Sequence, residues 1–335
     1  MIVSFGICEK HCAQNFLYLY YKYKKRKRFH MIFTVTLNPS IDYFLKFDKT
    51  VLDDVNRINE SRFVAAGKGI NCSKMLDVLE IPSETIYFAG GRTGDFINES
   101  LKPYQYLTAH PIAIEGLTRI NVKVYGSVDY AFNPTGPLIE EKRKQELLDY
   151  LSRLSSEDVV IISGSLPRGI DKEYVKTMCR LIAGRGAKSV LDVPNFKVAD
   201  FEGLDVYLIK PNTDELKYMV DEENINEDNY REYLKKIREA GVRNILLSMG
   251  KHGALYYGEY GIYHVDTPKV TLVKSIGAGD SMLGTFVATI LRTNDIENSL
   301  RLASAASTSM VCCDGMPSAE MISEMTKRIA VTRIE

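Results

Sequence analysis

The sequence predicts an α/β protein whose main sheet is mostly parallel and covered by helices on both faces, with a small antiparallel β lid. Short apolar runs rich in β-branched residues alternate along the chain with segments of helical period, which is typical of strands joined by helices. The runs are apolar throughout, as expected for strands buried on both sides. Residues 41–62 and 112–132 interrupt this alternation, because they are extended and contain little helical period, and they predict the lid.

The first predicted strand covers residues 32–37, which are apolar and β-branched and end at the turn signal Asn38-Pro39. Further strands are predicted at 85–89, 158–163, 189–192, 206–210 and 244–249. Helical period predicts intervening helices that include 142–154 and 174–184. Because parallel strands need such crossovers, the elements together indicate one large domain over residues 31–335.

Residues 1–30 differ from the rest of the chain, since they carry seven basic residues and one acidic residue. We expect them to be a basic N-terminal extension that is disordered or not part of the native protein. The alternative is an arm that binds anionic lipid or nucleic acid. The remaining residues contain 36 basic and 42 acidic side chains, and this mild excess of acid argues against nucleic acid as the main partner.

The cysteine content and the hydropathy of the chain indicate a cellular location. Six cysteines are scattered without the spacing of a disulfide framework, which is typical of reduced thiols. The sequence contains no apolar run of about 18 residues, and its N-terminus lacks the order of a signal peptide. We therefore expect a cytoplasmic protein with no membrane partner.

The most informative stretch is Lys274-Ser-Ile-Gly-Ala-Gly-Asp-Ser281, which is followed by an apolar face of helical period. A helix is therefore predicted to begin near Gly279 and Asp280. Glycines before a helix leave backbone N–H groups free to bind an anion, and the helix dipole favours negative charge there. Asp280 is either a cap of this helix or a base that takes a proton from an attacking hydroxyl.

Two further turns precede predicted helices. Ala66-Gly-Lys-Gly-Ile-Asn71 is not a Walker loop, and it is either a tight turn or a place of close backbone approach to a polar ligand, with Asn71 directed at it. Lys210-Pro-Asn-Thr-Asp-Glu215 is either a plain helix N-terminus or a site where Asn212 and Glu215 hold a hydrated Mg²⁺. Arg168, in the loop after a buried strand, is expected to face solvent.

Eight segments, in this order, resemble the ribokinase-like (PfkB) carbohydrate kinase family, and they are most similar to its 1-phosphofructokinase and tagatose-6-phosphate kinase branch. The segments are Thr36-Leu-Asn-Pro-Ser-Ile-Asp42, Gly67-Lys-Gly-Ile-Asn71, Thr118-Arg-Ile-Asn121, Asn133-Pro-Thr-Gly-Pro137, Ser163-Gly-Ser-Leu-Pro167, Lys210-Pro-Asn-Thr-Asp-Glu-Leu216, Ser248-Met-Gly250 and Gly277-Ala-Gly-Asp280.

The resemblance implies a Rossmann-type, doubly wound kinase domain that uses ATP and Mg²⁺. It implies that Asp280 is the catalytic base beside an anion hole formed by Gly277, Ala278 and Gly279. The implied substrate-binding residues are Asp42, Gly67, Lys68, Gly69, Asn71 and Arg119, of which Arg119 binds the phosphate already on the sugar. The implied nucleotide-binding residues are Lys210, Asn212, Ser248, Gly250 and Gly253, with Glu215 and Asn212 at the metal.

The sequence departs from the family pattern at Ala66, at Asp192-Val-Pro-Asn195 and at Ser275-Ile276, which leaves the substrate preference open. Thr118-Arg-Ile-Asn-Val-Lys123 favours fructose 1-phosphate, converted to fructose 1,6-bisphosphate. Leu52-Asp-Asp-Val-Asn-Arg57 is equally typical of tagatose-6-phosphate kinases. A non-catalytic sugar-phosphate sensor on the same fold is a further alternative. The resemblance also suggests a homodimer formed through the lid.

Overall fold

The computed structural model describes residues 31–48, 54–126, 129–226 and 229–335. The N-terminal extension predicted at residues 1–30 lies outside the described residues, as do positions 49–53 and 127–128 of the predicted lid. In chain order the strands are β1 (Ile32–Thr36), β2 (Ser40–Lys46), β3 (Glu60–Ala66), β4 (Ser83–Gly90), β5 (Leu107–Ile114), β6 (Arg119–Tyr125), β7 (Tyr130–Phe132), β8 (Val159–Ser163), β9 (Lys188–Asp192), β10 (Val206–Ile209), β11 (Val242–Ser248), β12 (Ala254–Gly258), β13 (Gly261–Val265) and β14 (Val331–Arg333).

Helices connect most of these strands, and none of them within the described ranges is long and apolar enough to cross a membrane. They are α1 (Lys68–Val78), α2 (Gly91–Leu101), α3 (Glu141–Leu151), α4 (Lys172–Gly184), α5 (Thr213–Val220), α6 (Tyr230–Glu239), α7 (Ala278–Thr293), α8 (Ile296–Val311) and α9 (Ala319–Thr326).

The main sheet has ten strands in the order β14-β13-β12-β11-β10-β9-β8-β1-β4-β5. Every neighbouring pair from β11 to β5 is parallel, and β12, β13 and β14 extend the sheet in antiparallel pairs. The α/β class with a mainly parallel sheet is therefore confirmed. The six predicted strands correspond to β1, β4, β8, β9, β10 and β11, within two residues at either end.

The core lies on both faces of this sheet, as the alternation along β8 illustrates. Val160 and Ile162 belong to a cluster of buried side chains that includes α3 and α4, whereas Val159 and Ile161 belong to a second cluster that includes α1, α7 and α8. Because both faces are covered, the carboxyl edge of the parallel strands is the part of the sheet where a ligand can reach polar groups.

The lid is a separate four-stranded sheet in the order β3-β2-β6-β7. It differs from the prediction in being mixed, because β2 pairs with β6 in parallel while β2–β3 and β6–β7 are antiparallel. The chain passes through α1, β4, α2 and β5 between β3 and β6, and this crossover lets β6 return in the direction of β2.

A second difference concerns the boundary of the lid. Residues 112–114 belong to β5, the edge strand of the main sheet, and not to the lid. Along β5, buried positions such as Ile112 and Ile114 alternate with exposed ones, since an edge strand is covered less completely than a central one. A half-exposed edge strand has the same sequence pattern as a lid strand, which explains the assignment made from the sequence.

Candidate active site

Helix α7 begins at the glycine-rich turn. Gly277 precedes its first turn with a φ of 83°, in the left-handed region that glycine adopts without strain. No side chain of the described residues caps this terminus, and the first i→i−4 bond runs from the Ser281 N–H to the Gly277 carbonyl at 2.9 Å. The N–H groups of residues 278–280 therefore have no partner within the helix and form an anion-binding terminus.

Asp280 lies in this first turn and is only 7% exposed. Its Oδ2 accepts a hydrogen bond of 2.8 Å from Asn71 Nδ2, so the carboxyl is held by α1 and does not cap its own helix. Burial raises the pKa of Asp280 to about 6, with a further contribution from the Asp192 carboxylate, while Asn71, Lys68 and Lys210 act in the opposite direction. A carboxyl with this pKa is ionised at neutral pH and remains basic enough to accept a proton.

Two lysines stand beside the same helix terminus. Lys68 Nζ lies 3.2 Å and Lys210 Nζ 3.8 Å from Asp192 Oδ1, at the end of β9. A Cβ on Gly279 would lie 3.0 Å from Lys210 Nζ, so this ammonium group packs against the first turn of α7. Burial lowers the pKa of Lys68, but the carboxylates of Asp192 and Asp280 outweigh burial and raise it, which keeps the group charged. Two cations thus lie near the first turn of α7, since both act on the charge of Asp280. Cations next to free helix amides are suited to a phosphate.

The glycines of the turn at residues 66–71, before α1, allow close packing. Gly67 has a φ of 147°, and a Cβ there would lie 2.5 Å from Thr36 Cγ2; a Cβ on Gly69 would lie 2.6 Å from Thr36 Oγ1. That hydroxyl accepts the Ile70 N–H at 3.0 Å, which fixes the start of α1 on the end of β1. The turn therefore directs Lys68, the residue between the glycines, towards Asp192.

The lid contributes a polar cluster centred on Asp42, which is buried at 6% exposure. Asp42 Oδ1 accepts hydrogen bonds from Ser40 Oγ at 2.9 Å and from Asn121 Nδ2 at 2.8 Å. Asn121 faces Asp42 across the parallel β2–β6 pair, and Arg119, two residues earlier on β6, faces Ser40. Because side chains two apart share a face of a strand, Arg119 and Asn121 lie on the same side of the lid as Asp42.

Arg119 joins the lid to the carboxyl edge of the main sheet. Its Nη2 donates to the Asn38 carbonyl at 3.0 Å and to Ser165 Oγ at 3.1 Å, and Nη1 donates to the Pro134 carbonyl at 2.9 Å. Burial lowers the pKa of Arg119, though a guanidinium remains charged at neutral pH. Arg168, by contrast, is exposed as expected from the sequence.

Four residues at this site were not predicted from the sequence: Asn38, Asn121, Ser165 and Asp192. The first three lie inside segments that carried the family resemblance, and the strand period of β6 already places Asn121 beside Arg119. Several buried polar atoms here have no hydrogen-bond partner within the described part of the chain, and such atoms are frequently explained by binding of a polar ligand. They are Asn38 Oδ1, Arg119 Nε, Asn121 Oδ1, Ser163 Oγ and Asp192 Oδ2.

The predicted nucleotide side lies at the ends of β10 and β11. The Ser248 N–H donates to the Pro211 carbonyl at 2.9 Å, and a bridge pairs Ser248 with Asn212, which brings two of the predicted segments together. Gly250 and Gly253 form the tight turn into β12, with φ values of 57° and 86°. A Cβ on Gly253 would lie 1.9 Å from the Val265 carbonyl oxygen, so this position requires glycine.

Asn212 and Glu215 form a capping box at the start of α5. Asn212 Oδ1 accepts the Glu215 N–H and Glu215 Oε2 accepts the Asn212 N–H, each at 2.8 Å. Within the described ranges, no cluster of three or more His, Cys, Asp or Glu side chains could hold a metal ion. The residues fit a Mg²⁺ that keeps most of its water shell and meets one carboxylate, since the cap leaves the second oxygen of Glu215 available. Asn212 fits better as the group that orients Glu215 than as a ligand of the metal, because its side-chain oxygen is used in the capping box.

The fold and this site define an α/β phosphotransferase whose acceptor is an alcohol group of a sugar. A model of the pfkB family of carbohydrate kinases matches residues 35–320, and the chain belongs to this family.

The chain is similar to kinases from two Bacillus species. The chain is 30% identical to the 1-phosphofructokinase of Bacillus subtilis (strain 168), over 91% of this chain and 100% of that protein. It is 31% identical to the D-tagatose-1-phosphate kinase of Bacillus licheniformis, again over 91% of this chain and 100% of that protein. Phosphofructokinase-2 from Escherichia coli has the same fold, with a TM-score of 0.84 at 24% identity over 89% of this chain and 99% of that chain.

Proposed function

We propose that this chain is a cytoplasmic 1-phosphofructokinase, which transfers the γ-phosphoryl group of ATP to the C6 hydroxyl of fructose 1-phosphate. The observation that carries the proposal is the placement of Asp280, a buried carboxyl with a raised pKa, beside the free amides of α7 and the ammonium groups of Lys68 and Lys210. Base, anion site and cations are the parts that phosphoryl transfer needs. The similarity to the B. subtilis enzyme supports fructose 1-phosphate as the acceptor.

In this proposal Asp280 takes the proton of the C6 hydroxyl while the C6 oxygen forms a bond to the γ-phosphorus of ATP. At the same time, the bond between the γ-phosphorus and the oxygen that bridges it to the β-phosphate breaks, and ADP leaves. The amides of residues 278–280, with Lys68 and Lys210, stabilise the charge on the transferred group. Asn71 orients the carboxyl through its 2.8 Å hydrogen bond. Glu215 would hold a Mg²⁺, which would neutralise charge on the ATP phosphates.

The lid supplies the recognition of the sugar phosphate. Asp42 accepts hydrogen bonds from sugar hydroxyls, and Arg119 binds the phosphate at C1, for which its planar fork is suited. The turn after β11, with Ser248, Gly250 and Gly253, lies against the nucleotide. Closure of the lid over the sugar excludes water, which otherwise competes as an acceptor.

A second candidate acceptor is tagatose 1-phosphate, which differs from fructose 1-phosphate in the configuration at C4. The relative from B. licheniformis favours it, because its identity to this chain is as high as that of the 1-phosphofructokinase. Both acceptors present a phosphate at one end and a primary hydroxyl at the other, so both fit Arg119 and Asp280 equally. Tagatose 6-phosphate, considered from the sequence, is the third acceptor to compare.

The test is a coupled ADP-release assay with Mg-ATP on fructose 1-phosphate, tagatose 1-phosphate, tagatose 6-phosphate, fructose 6-phosphate and fructose. We expect the highest kcat/KM with fructose 1-phosphate and a loss on the order of 10²-fold or more in Asp280→Asn, which keeps the shape of the side chain but not the base. Arg119→Gln should raise KM for the sugar phosphate more than it lowers kcat. Preference for unphosphorylated fructose would refute the role of Arg119.

We also propose that the chain forms a homodimer through the outer face of the lid. Phe63, Tyr130 and Phe132 are 50%, 42% and 58% exposed, and they lie on the face opposite Asp42. Exposed apolar patches of this kind mark interaction surfaces. Light scattering during size-exclusion chromatography should give twice the monomer mass, and Phe132→Ser should shift the equilibrium towards monomer; a monomer at all concentrations would contradict the proposal.

A further inference from the structure

We propose that Asp192 is a positioning residue, whose carboxylate holds Lys68 and Lys210 in place at the N-terminus of α7. The proposal rests on the function proposed above. Asp192 is the last residue of β9, its side chain is 3% exposed, and its Oδ1 is shared by the two ammonium groups at 3.2 and 3.8 Å. Asp192 was not among the site residues that the family resemblance implied.

The backbone fixes Asp192 from both neighbouring strands. Its carbonyl accepts the Gly164 N–H at 3.0 Å after β8, and the carbonyl of Leu191 accepts the Lys210 N–H after β10 at 3.4 Å. The carboxylate therefore projects from the centre of the parallel sheet at its carboxyl edge. A charge fixed in this way can hold two long, flexible lysine side chains that would otherwise lose order.

The charges around this point explain why an anion is needed here. Lys210 packs against the first turn of α7, and Lys68 and Lys210 both act on Asp280 in that turn. Positive groups next to a helix N-terminus are unfavourable without a counter-charge. Lys210 is also buried, with a side chain 6% exposed, so water screens its interaction with Asp192 weakly. Asp192 supplies the counter-charge before the nucleotide binds.

One oxygen of Asp192 independently indicates that this carboxylate has a functional role. Oδ2 is buried and has no hydrogen-bond partner among the described residues. A buried carboxylate oxygen without a partner is costly, and such atoms in native proteins call for an explanation. A second lysine-bonded aspartate, Asp200, shows the contrast: it accepts from Lys172 at 2.6 Å and Lys176 at 3.0 Å with different oxygens, so that both are used.

Asp192 also acts on the base. Its negative charge contributes, after burial, to the raised pKa of Asp280, whereas Lys68 and Lys210 lower it. If the carboxylate is replaced by an amide, a like charge is lost and the two lysines are freed to approach Asp280. Both changes favour the ionised base, so the acidic limb of the pH–rate profile should move to lower pH.

The experiment compares Asp192→Asn with Asp200→Asn, a control that removes an aspartate held by two lysines outside the site. For Asp192→Asn we expect kcat to fall on the order of 10²-fold, because the two lysines are no longer held in place. We also expect the acidic limb of the pH–rate profile to lie at lower pH than in the wild type. Asp200→Asn should lose stability but keep kcat and the pH profile. Equal kcat and equal pH profiles in Asp192→Asn and wild type would overturn the proposal while leaving the proposed function standing.

Two measurements that do not depend on turnover can test the role of Asp192 even if the proposed function is wrong. If the wild-type protein phosphorylates no sugar of the panel, calorimetry with Mg-ADP should still give at least tenfold weaker binding for Asp192→Asn, and unchanged binding would overturn the proposal. If Asp192→Asn does not fold, Lys68 can be titrated in the wild-type protein by NMR after ¹³C-methylation, with Lys68→Arg for assignment. A Lys68 pKa at or below the usual lysine value would show that Asp192 does not hold it.

Discussion

Gly279→Ala tests the geometry of the anion site at a single atom. Gly279 is the second residue of α7, and its φ lies outside the left-handed region, so alanine is compatible with the helix. The new Cβ would lie 3.0 Å from Lys210 Nζ and 3.4 Å from its Cε, which forces the ammonium group to move by a few tenths of an ångström. The methyl group would also lie beside the amides of α7 that are proposed to bind the phosphate.

Stability and catalysis should respond in opposite directions. Glycine to alanine in a helix gains up to about 1 kcal/mol, which corresponds to an increase in Tm of about 2 °C in a chain of this size. Moving Lys210 from about 3.5 to about 4.0 Å from a phosphate oxygen weakens the attraction by about 0.6 kcal/mol at an effective dielectric constant near 20. Blocking one amide donor costs a further ~2.7–4 kcal/mol in the transition state. We therefore expect kcat to fall by a factor on the order of 10²–10³.

The assay measures kcat by ADP release and Tm by calorimetry, with Gly184→Ala as the matched control. Gly184 is the last residue of α4, and a Cβ there would meet no atom within 4 Å. The control should keep kcat and gain a similar stability. A kcat of Gly279→Ala within about threefold of wild type would refute the reasoning, since the helix N-terminus would then tolerate a side chain where the phosphate is expected.

Three further predictions follow from individual residues. Because the proposed base Asp280 has to be ionised to accept a proton, kcat/KM of the wild-type enzyme should fall about tenfold per pH unit below about pH 6 and level off above it. Gly253→Ala should lower the free energy of unfolding by about 2 kcal/mol or more in urea titrations, because its Cβ would lie 1.9 Å from the Val265 carbonyl oxygen at a φ of 86°. Although burial opposes it, hydrogen bonds from Lys172, Lys197 and Lys176 lower the pKa of Asp200 to about 2, so Asp200→Asn should destabilise the protein at neutral pH.

The pH dependence of the last effect has a definite sign. A pKa depressed in the folded state stabilises the protein above the unfolded value of about 4, and the stabilisation disappears as pH falls towards 2. The difference in unfolding free energy between wild type and Asp200→Asn should therefore shrink over that window. A difference that stays constant from pH 6 to pH 2, a flat kcat/KM profile between pH 5 and 7, or an unchanged urea midpoint in Gly253→Ala would each contradict the corresponding prediction.

Local pattern made the N-terminus of α7 predictable, since glycines followed by an apolar helical period define both the helix start and the free amides. The same pattern could not distinguish whether Asp280 caps the helix or faces a ligand, because that depends on Asn71, which approaches from another helix. The contact between Lys68 and Asp192 spans 124 residues and depends on the order of strands in the sheet. Sequence patterns predict the strands but not their order, so the role proposed for Asp192 was not apparent from the sequence.

The boundary of the lid shows a second limit of local pattern. Residues 112–114 alternate between buried and exposed positions, and only the pairing of β5 with β4 identifies them as part of the main sheet. The parallel pairing of β2 with β6 was likewise not apparent, because each strand has the same sequence signature in either orientation.

The parallel β2–β6 pair has a consequence for how the chain assembles. Until β6 arrives, β2 and β3 form a two-stranded hairpin, which is marginally stable in water, and β2 presents an unpaired row of backbone groups. Such an open edge is a template for pairing with another chain. The strand that carries Asp42 is therefore open to pairing with another chain during synthesis until residues 119–125 pair with it.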